Sequence, residues 1–557
     1  RMASRFYVNH VAYERNAHPS ALLDVTEGTP DSLVLLDSAG WTEARRLTWG
    51  AHHGTFRGRK VARVDLSGLP RGRYVLRAGS ESSKPFLVGD DALWRATLDA
   101  LLGYFRSQRA DLAWDAADRS MGFVGGRTDR VDVHGGWYDA SGDVSKYLSH
   151  LSYANFMNPQ QTPIVVWGLL EHYERLSGHH ASGAAERLRD EARHGAEFLA
   201  RMQDPAGYFY MTVFDQWSKF PERRVICSYR TQKGELLPGY QAGFRQGGGA
   251  TIAALARAGR VLGEASFVAA AERGFAHLEQ HNLEYLDDGH ENVIDDYCAL
   301  LAACELYAAN SNVTHLQRAR HRAASLVARI REDGPVAGWL RADSGDRPFF
   351  HAAEAGLPAI ALLRLAELDR EGKAEWLAAA TRLLRFELAI SRETENPYGY
   401  ARQYVQDVSG HRRTSFFIPH QNETGYWWQG ENARLASLAA AAGWLARELG
   451  SAERALANEL RSFAFAQLDW ICGKNPFDSC MLHGFGFHNR SYMDLWPSAP
   501  GGICNGITAS HGDEADVDFG RDDLEGDHGW RWYEQWLPHA AWFLIALGEL
   551  HTQAESV

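Results

Sequence analysis

From residue 91 onward, apolar residues recur at three- and four-residue intervals in twelve successive segments. That spacing is the signature of helices with one apolar face. The segments fall near 91–109, 160–177, 183–203, 247–262, 264–280, 293–310, 313–332, 349–368, 372–391, 428–449, 451–473 and 535–552. No fixed-period repeat ties them together, which disfavours a regular solenoid. Twelve helices without strands can instead close as six inner and six outer helices. The expected fold is therefore mainly α, an (α/α)6 barrel over 89–557, with its site where loops leave the inner helices.

Residues 1–88 read differently. FYVNHVAY, ALLDV, SLVLLD, ARVDLSGL and GRYVLRAG are short β-branched or alternating runs separated by Gly, Pro, Asp and Ser. They predict a small β-sandwich in front of the helices. A chain of 557 residues is too long for one ordinary core, so two domains are expected.

Charge and cysteine usage narrow the function. The net charge of −12 argues against nucleic acid as a partner, because phosphate recognition needs a basic footprint. No segment reaches the roughly 18 uninterrupted apolar residues of a membrane helix. The opening RMASRFYVNHVAY has no apolar central stretch of the kind signal peptides carry. Six scattered Cys form no CxxC pair, which fits reduced thiols and a cytoplasmic setting. The oligomeric state stays open. The 18 Trp and 21 Tyr suit either core packing or a sugar site, where ring faces cover the apolar faces of pyranoses.

Between the helices lie four long stretches, 110–159, 204–246, 392–427 and 474–534, rich in Gly, aromatic, His, Asp and Asn residues. Long loops in a compact domain are usually functional, and these four are expected to converge on one face. In the first, GGWYDASGDVSKY at 135–147 sets Asp139 and Asp143 four residues apart, with Trp137 and Tyr138 beside them. Glycines on both sides allow a tight turn that aims both carboxylates into one cavity, where they orient a water and take its proton. Two turn aspartates bonded to local backbone fit the same residues.

Glu534 lies among Trp530, Trp532, Tyr533 and Trp536, just ahead of the last helical segment. A carboxyl among rings is poorly hydrated, stays protonated to higher pH and suits a general acid. A glutamate in a first helical turn, favoured by the helix dipole, is the alternative. His483, His488 and Arg490 in HGFGFHNRSYMDLWPSAPGG could donate to sugar hydroxyls, and no zinc-type pattern accompanies them. PHQNETGYWWQGENARLASLA at 419–439 adds Glu423, Trp427, Trp428 and Glu431. Gly247–Gly249 open a helix but lack the Lys-Ser/Thr ending of a phosphate loop, and no GxSxG elbow is present.

Together these segments resemble glycoside hydrolase family 9 over essentially the whole chain. FYVNHVAY looks like the family's first strand, and GGWYDASGD like its GGWYDAGD loop. GKNPFDSCMLHGFGFHNRS is similar to its GxNPxxxSYVTGFG...HHR stretch, and Glu534 matches the glutamate of its C-terminal motif. The resemblance implies that the β-sandwich is immunoglobulin-like. It also implies inversion, with Asp143 as general base, Asp139 holding the water and Glu534 as general acid. A small oligosaccharide is the expected partner, with neither cofactor nor metal. Trp137, Tyr138, Trp427, Glu431, His483, His488, Arg490 and Tyr533 are the expected substrate-binding residues.

Three departures stand out. The aspartates are four apart because Ser141 is extra, the usual PHHR reads FHNR at 487–490, and LPHAA follows at 537–541. With YLSHLSYANFMNPQQTP at 147–163, this variant is similar to the family's exo-β-D-glucosaminidase branch. The expected activity is removal of glucosamine from the non-reducing end of chitosan-type oligomers. Asp139, Glu423 and Glu431 are the candidates to meet the amine. The alternative is a cellobiohydrolase, β-glucosidase or endoglucanase acting on β-1,4-glucan oligomers.

Overall fold

The computed structural model describes residues 4–39, 41–50, 52–150, 154, 156–176, 183–424, 430–492, 497–520 and 529–552. Ten short strands open the chain: β1 (Phe6–Tyr7), β2 (Ala12–Glu14), β3 (Ser20–Asp24), β4 (Val34–Asp37), β5 (Thr42–Arg46), β6 (His52–Phe56), β7 (Arg59–Asp65), β8 (Gly72–Ala78), β9 (Glu81–Ser82) and β10 (Phe86–Gly89). They pair as two sheets, β1-β3-β7-β6 and β2-β10-β8-β4-β5, with β9 on β8. The side-chain period of two sorts their residues. Leu23, Val64, Leu35, Tyr74, Leu76 and Phe86 fill one shared core. Tyr7, Leu22, Phe56 and Val61 belong instead to the core of the helical region.

The first sheet is thus apolar on both faces, and its second face is covered by helices rather than water. Tyr398 receives the edges of Tyr7 and Phe56, with ring centroids 5.7 and 5.5 Å apart. Polar ties reinforce the contact. The His10 ring meets Asp478 at 2.8 Å, Asn9 donates to Asp469 at 2.9 Å, and Lys474 donates to the Ser20 carbonyl at 2.8 Å.

The helices are α1 (Ala92–Ser107), α2 (Leu112–Asp118), α3 (Thr162–Arg175), α4 (Ala184–Arg201), α5 (Gly248–Leu262), α6 (Ala265–Tyr285), α7 (Val293–Asn310), α8 (Val313–Ala328), α9 (Leu357–Leu368), α10 (Lys373–Arg392), α11 (Asn432–Leu449), α12 (Arg454–Ile471), α13 (Trp530–Tyr533) and α14 (Leu537–Leu550). Helices α3, α5, α7, α9, α11 and α14 touch one another in that cyclic order, and α14 closes back onto α3. Each also packs against one outer helix: α4, α6, α8, α10, α12 and α1 respectively.

Sequence explains the division. Every residue of α14, and every residue of α11 from Asn432 to Ala446, is buried. A helix apolar all round must be enclosed. Outer α4 buries a single face and keeps its Arg, Glu and Asp residues largely outside.

Polarity orders the ring along its axis. The last turns of the inner helices share one buried ion-pair network: Arg257 with Glu171 and Glu305, Arg364 with Glu305 and Glu367, and Glu549 with Arg175 and Arg447. The opposite mouth, where these helices begin, is left to the loops.

Several sequence-based boundaries shift. The segment 349–368 becomes helical only at Leu357, where Pro358 suits a first turn. Helix α6 runs on to Tyr285, past the expected 280. The short helices α2 and α13 lie inside stretches read as loops. All six cysteines are free and buried. Among the described residues no helix is long and apolar enough to cross a membrane.

Candidate active site

The turn around residue 140 is built from backbone. Gly135 and Gly136 have φ of +88° and +76°, a region that side-chain-bearing residues avoid. A Cβ on Gly136 would strike the Phe198 ring at 2.9 Å. The chain then folds on itself, with Ala140 and Asp143 exchanging N–H···O bonds of 3.1 Å.

The same turn is zipped to the start of α14. Ser141 N–H donates to the Gln535 carbonyl at 2.9 Å, Leu537 N–H donates to the Asp139 carbonyl at 3.0 Å, and Gln535 N–H donates to Ser141 Oγ at 3.0 Å. Pairing of this kind requires an extended chain at 534–536, and Glu534 has φ −66° and ψ 130°. Glu534 therefore stands outside α14, which excludes the reading of it as a first-turn residue.

Its carboxyl lies against Gly142. A Cβ at Gly142 would collide with Glu534 Oε2 and with the Tyr492 ring. The turn thus leaves an opening that only glycine keeps clear.

Asp139 and Asp143 are both buried. Asp139 Oδ1 accepts from Gln161 Nε2, while Oδ2 meets His150 Nε2 at 3.0 Å and accepts from Trp536 Nε1 at 3.1 Å. Asp143 Oδ1 accepts Ser145 N–H at 2.9 Å, and Oδ2 accepts Tyr147 O–H at 2.6 Å and Trp217 Nε1–H at 3.0 Å.

Burial, with the Asp143 charge adding to it, pushes the Asp139 carboxyl from 3.8 up to about 6, against the pull of His150. Burial and then the charges of Asp143 and Asp139 push Glu534 well above the usual carboxylate range. A carboxyl kept protonated beside a carboxylate held by three donors is a proton donor and acceptor pair. Ligand-type atoms of Asp139, Asp143 and His150 lie within 4.8 Å of one another. His150 Nε2 and Asp139 Oδ2 already meet each other at 3.0 Å.

Trp217 belongs to a constrained loop. Gln216, Trp217 and Lys219 all have positive φ, of 60°, 54° and 61°. Each such residue costs about 1–2 kcal/mol in strain. Asp215 holds the loop by accepting Lys219 N–H at 2.7 Å and Ser145 Oγ–H at 2.8 Å. Neither Trp217, His150 nor Gln161 stands out in the sequence, because loop strain and contacts between distant loops leave no local pattern.

The other expected residues separate. Trp137 is fully buried, filling the space that Gly195 leaves and donating to Glu191 at 3.2 Å. No face of the indole is open to a sugar, which corrects the expectation of substrate contact. Glu431 is likewise corrected. It is buried and takes Arg434 at 3.0 Å, Tyr400 O–H at 3.0 Å, Gln403 and the Ile418 N–H, so it anchors the 400–418 loop and has no capacity for an amine.

Tyr138 spends its hydroxyl on Asp111. Glu423 pairs with Arg347, whose guanidinium lies 4.2 Å from the Phe156 ring centroid. His483 is half-buried, and burial lowers its pKa. His488 is exposed, with Nδ1 on the Asp478 carbonyl at 2.6 Å. Arg490 stacks over the rings of Phe519 and Tyr533, each 5.6 Å away, and Tyr533 O–H donates to the Phe519 carbonyl at 2.9 Å. Trp427 and Trp428 lie outside the described residues.

A family model described as glycosyl hydrolase family 9 matches residues 94–494. The chain matches no curated protein by sequence. Among solved structures it is similar to a Bacteroides ovatus family 9 protein, at 16% identity and TM-score 0.66, with 98% of each chain covered. A metagenome-derived family 9 endoglucanase is similar at 19% identity and TM-score 0.67, again over 98% of each chain. The endoglucanase CelQ from Clostridium thermocellum, solved with cellobiose and cellotriose, aligns at 18% identity and TM-score 0.51, over 81% of this chain and 69% of that one. At these identities the structural likeness speaks to fold, and the family match speaks to chemistry. A match over most of the chain, ending beyond the loop that carries the paired aspartates, places the protein in glycosyl hydrolase family 9, a family of inverting O-glycosyl hydrolases.

Proposed function

We propose that Asp143 is the general base, that Asp139 holds the attacking water with it, and that Glu534 is the general acid. The observation that carries this reading is the convergence of the three carboxyls on Gly142 and its turn, with Glu534 raised well above the ordinary range and Asp143 held by three donors. Glu534 protonates the glycosidic oxygen while a water between the aspartates loses its proton to Asp143 and attacks the anomeric carbon from the opposite face. A β-linked sugar then leaves as the α-anomer. We read the closed order of inner helices as an (α/α)6 barrel over 89–557, with an immunoglobulin-like β-sandwich over 1–88.

The substrate we propose is a short glucosamine oligomer cut from its non-reducing end. Three carboxyls in one desolvated site favour a cationic sugar, since an ammonium offsets the burial and the mutual repulsion that raise Asp139 and Glu534. With Glu431 consumed by four donors and Glu423 paired with Arg347, Asp139, which holds Gln161, His150 and Trp536, is the remaining expected partner for the amine. A second reading, hydrolysis of β-1,4-glucan, is favoured by the endoglucanases among the structural neighbours. The unpaired, buried thiols suit a reducing cytoplasm.

Hydrolysis of the glucosamine dimer, its N-acetylated form and cellobiose, followed by proton NMR, decides among these. Fastest cleavage of the free amine with initial α-glucosamine supports the proposal. Faster cleavage of cellobiose or of the acetylated dimer rejects the substrate, and initial β-product rejects the mechanism.

A further inference from the structure

His150 stands beside the carboxylate pair. Its Nε2 meets Asp139 Oδ2 at 3.0 Å and its Nδ1 meets Tyr229 Oη at 2.6 Å. Tyr147 stacks beneath the imidazole with centroids 3.6 Å apart, and the same tyrosine donates its hydroxyl to Asp143 Oδ2 at 2.6 Å. Trp536, the other donor to Asp139 Oδ2, presents its ring edge-on to His150 at 6.5 Å.

Each contact has a consequence. While Asp139 is ionised, Nε2 faces an acceptor and carries a hydrogen, whichever charge the ring bears. Tyr229 on Nδ1 fixes the ring plane, as an outer partner fixes the orientation of an inner ligand. Tyr147 joins the two halves: its ring supports the residue that holds Asp139, and its hydroxyl holds Asp143. The titratable and charged groups around the imidazole are Asp139, Tyr147 and Tyr229, with Asp143, Asp215, Glu534 and Lys219 beyond them.

We propose that His150 is a positioning residue for Asp139, and that the Tyr147–His150 stack holds the two aspartates as one unit around the attacking water. This rests on the assignment of Asp139 and Asp143 to that water. His150 touches neither water nor sugar in this scheme. It acts by fixing where Asp139 points and by supplying a proton-bearing partner for its charge.

The test uses the full chain and the disaccharide that it cleaves fastest. His150→Ala is expected to lower kcat by roughly ten- to a hundredfold, the scale of one charge-assisted hydrogen bond, with KM changed by less than about threefold. The acid limb of the kcat/KM profile moves, and added imidazole restores part of the rate. Tyr229→Phe, which preserves shape, gives a smaller shift of the same limb. In a double-mutant cycle, Tyr147→Phe costs less in the His150→Ala background than in the parent.

Parental rates and pH limbs in both His150→Ala and Tyr229→Phe overturn the proposal, as does a loss confined to KM or a fully additive cycle. Asp143→Asn and Glu534→Gln separate the two levels. If both stay active, the reading of the site itself fails. If both are inactive while the His150 and Tyr229 variants match the parent, only the positioning role falls.

Discussion

Trp536 donates its indole N–H to Asp139 Oδ2 at 3.1 Å across 397 residues of chain. That bond joins the first site loop to the entrance of the last inner helix. It sits beside the backbone zipper that brings Glu534 over Gly142. Closure of the helical ring and assembly of the three carboxyls are thus one structural event, because α14 must return to α3 before Glu534 can reach the turn.

Asp143→Asn and Glu534→Gln are each expected to lower kcat by at least the roughly 10²–10⁴ of an acid–base group, with little change in melting temperature. Steady-state kinetics and thermal melts check this. Azide added to Asp143→Asn should act as an external nucleophile and restore turnover, whereas it should not rescue Glu534→Gln on a substrate with a poor leaving group.

Asp139 makes stability depend on pH. Its carboxyl rises from 3.8 to about 6 in the folded protein. Between those values the native state keeps a proton that the unfolded chain has lost, so native stability falls as pH climbs from about 4 to 6. Asp139→Asn removes that penalty. Its melting temperature relative to the parent should be higher at pH 7.5 than at pH 4, by the equivalent of roughly 1–3 kcal/mol. A constant difference across that range contradicts the assignment.

Trp217→Phe keeps a ring in the loop and deletes one donor to Asp143. The expected loss is about 1.5–3 kcal/mol of transition-state stabilisation, read as roughly a ten- to hundredfold fall in kcat. Melting should change by no more than a degree or two. Measurement of kcat and thermal unfolding on the same preparation distinguishes this from a packing defect, which would move the second more than the first.

At the far mouth, Arg364 is buried between Glu305 and Glu367. Arg364→Met leaves buried Glu305 with the Arg257 guanidinium alone, at 3.5 Å, and breaking the buried pair is expected to cost about 3–5 kcal/mol. Chemical denaturation should show a lower midpoint, while the KM of the residual folded enzyme stays near the parental value because the network lies opposite the site. A double change, Arg364→Met with Glu305→Leu, should recover most of the loss.

Much of the architecture was legible in the chain. Apolar residues at helical spacing placed the major helices, α9 excepted, to within a few residues, since burial of a continuous stripe demands that pattern wherever the helix goes. Asp139, Asp143 and Glu534 stood out through the family resemblance, since residue type and spacing alone fitted turn aspartates and a first-turn glutamate as well. Trp137 and Glu431 show the limit. Both stood next to site residues in sequence, yet Gly195 opens a core slot for the indole and Arg434 neutralises the carboxylate. No local pattern reveals which neighbour a side chain will meet.

The order of helices, the turn-forming glycines and the three carboxyl side chains are properties of the polypeptide itself, because spacing and residue type alone dictate them. Tertiary structure decided the rest: which carboxyl stays protonated, which indole faces inward, and that His150, Tyr147, Trp217 and Trp536 surround the aspartates. Desolvation and mutual charge act over a few ångströms of space, and only the closed ring brings residues 139, 217 and 536 within that range.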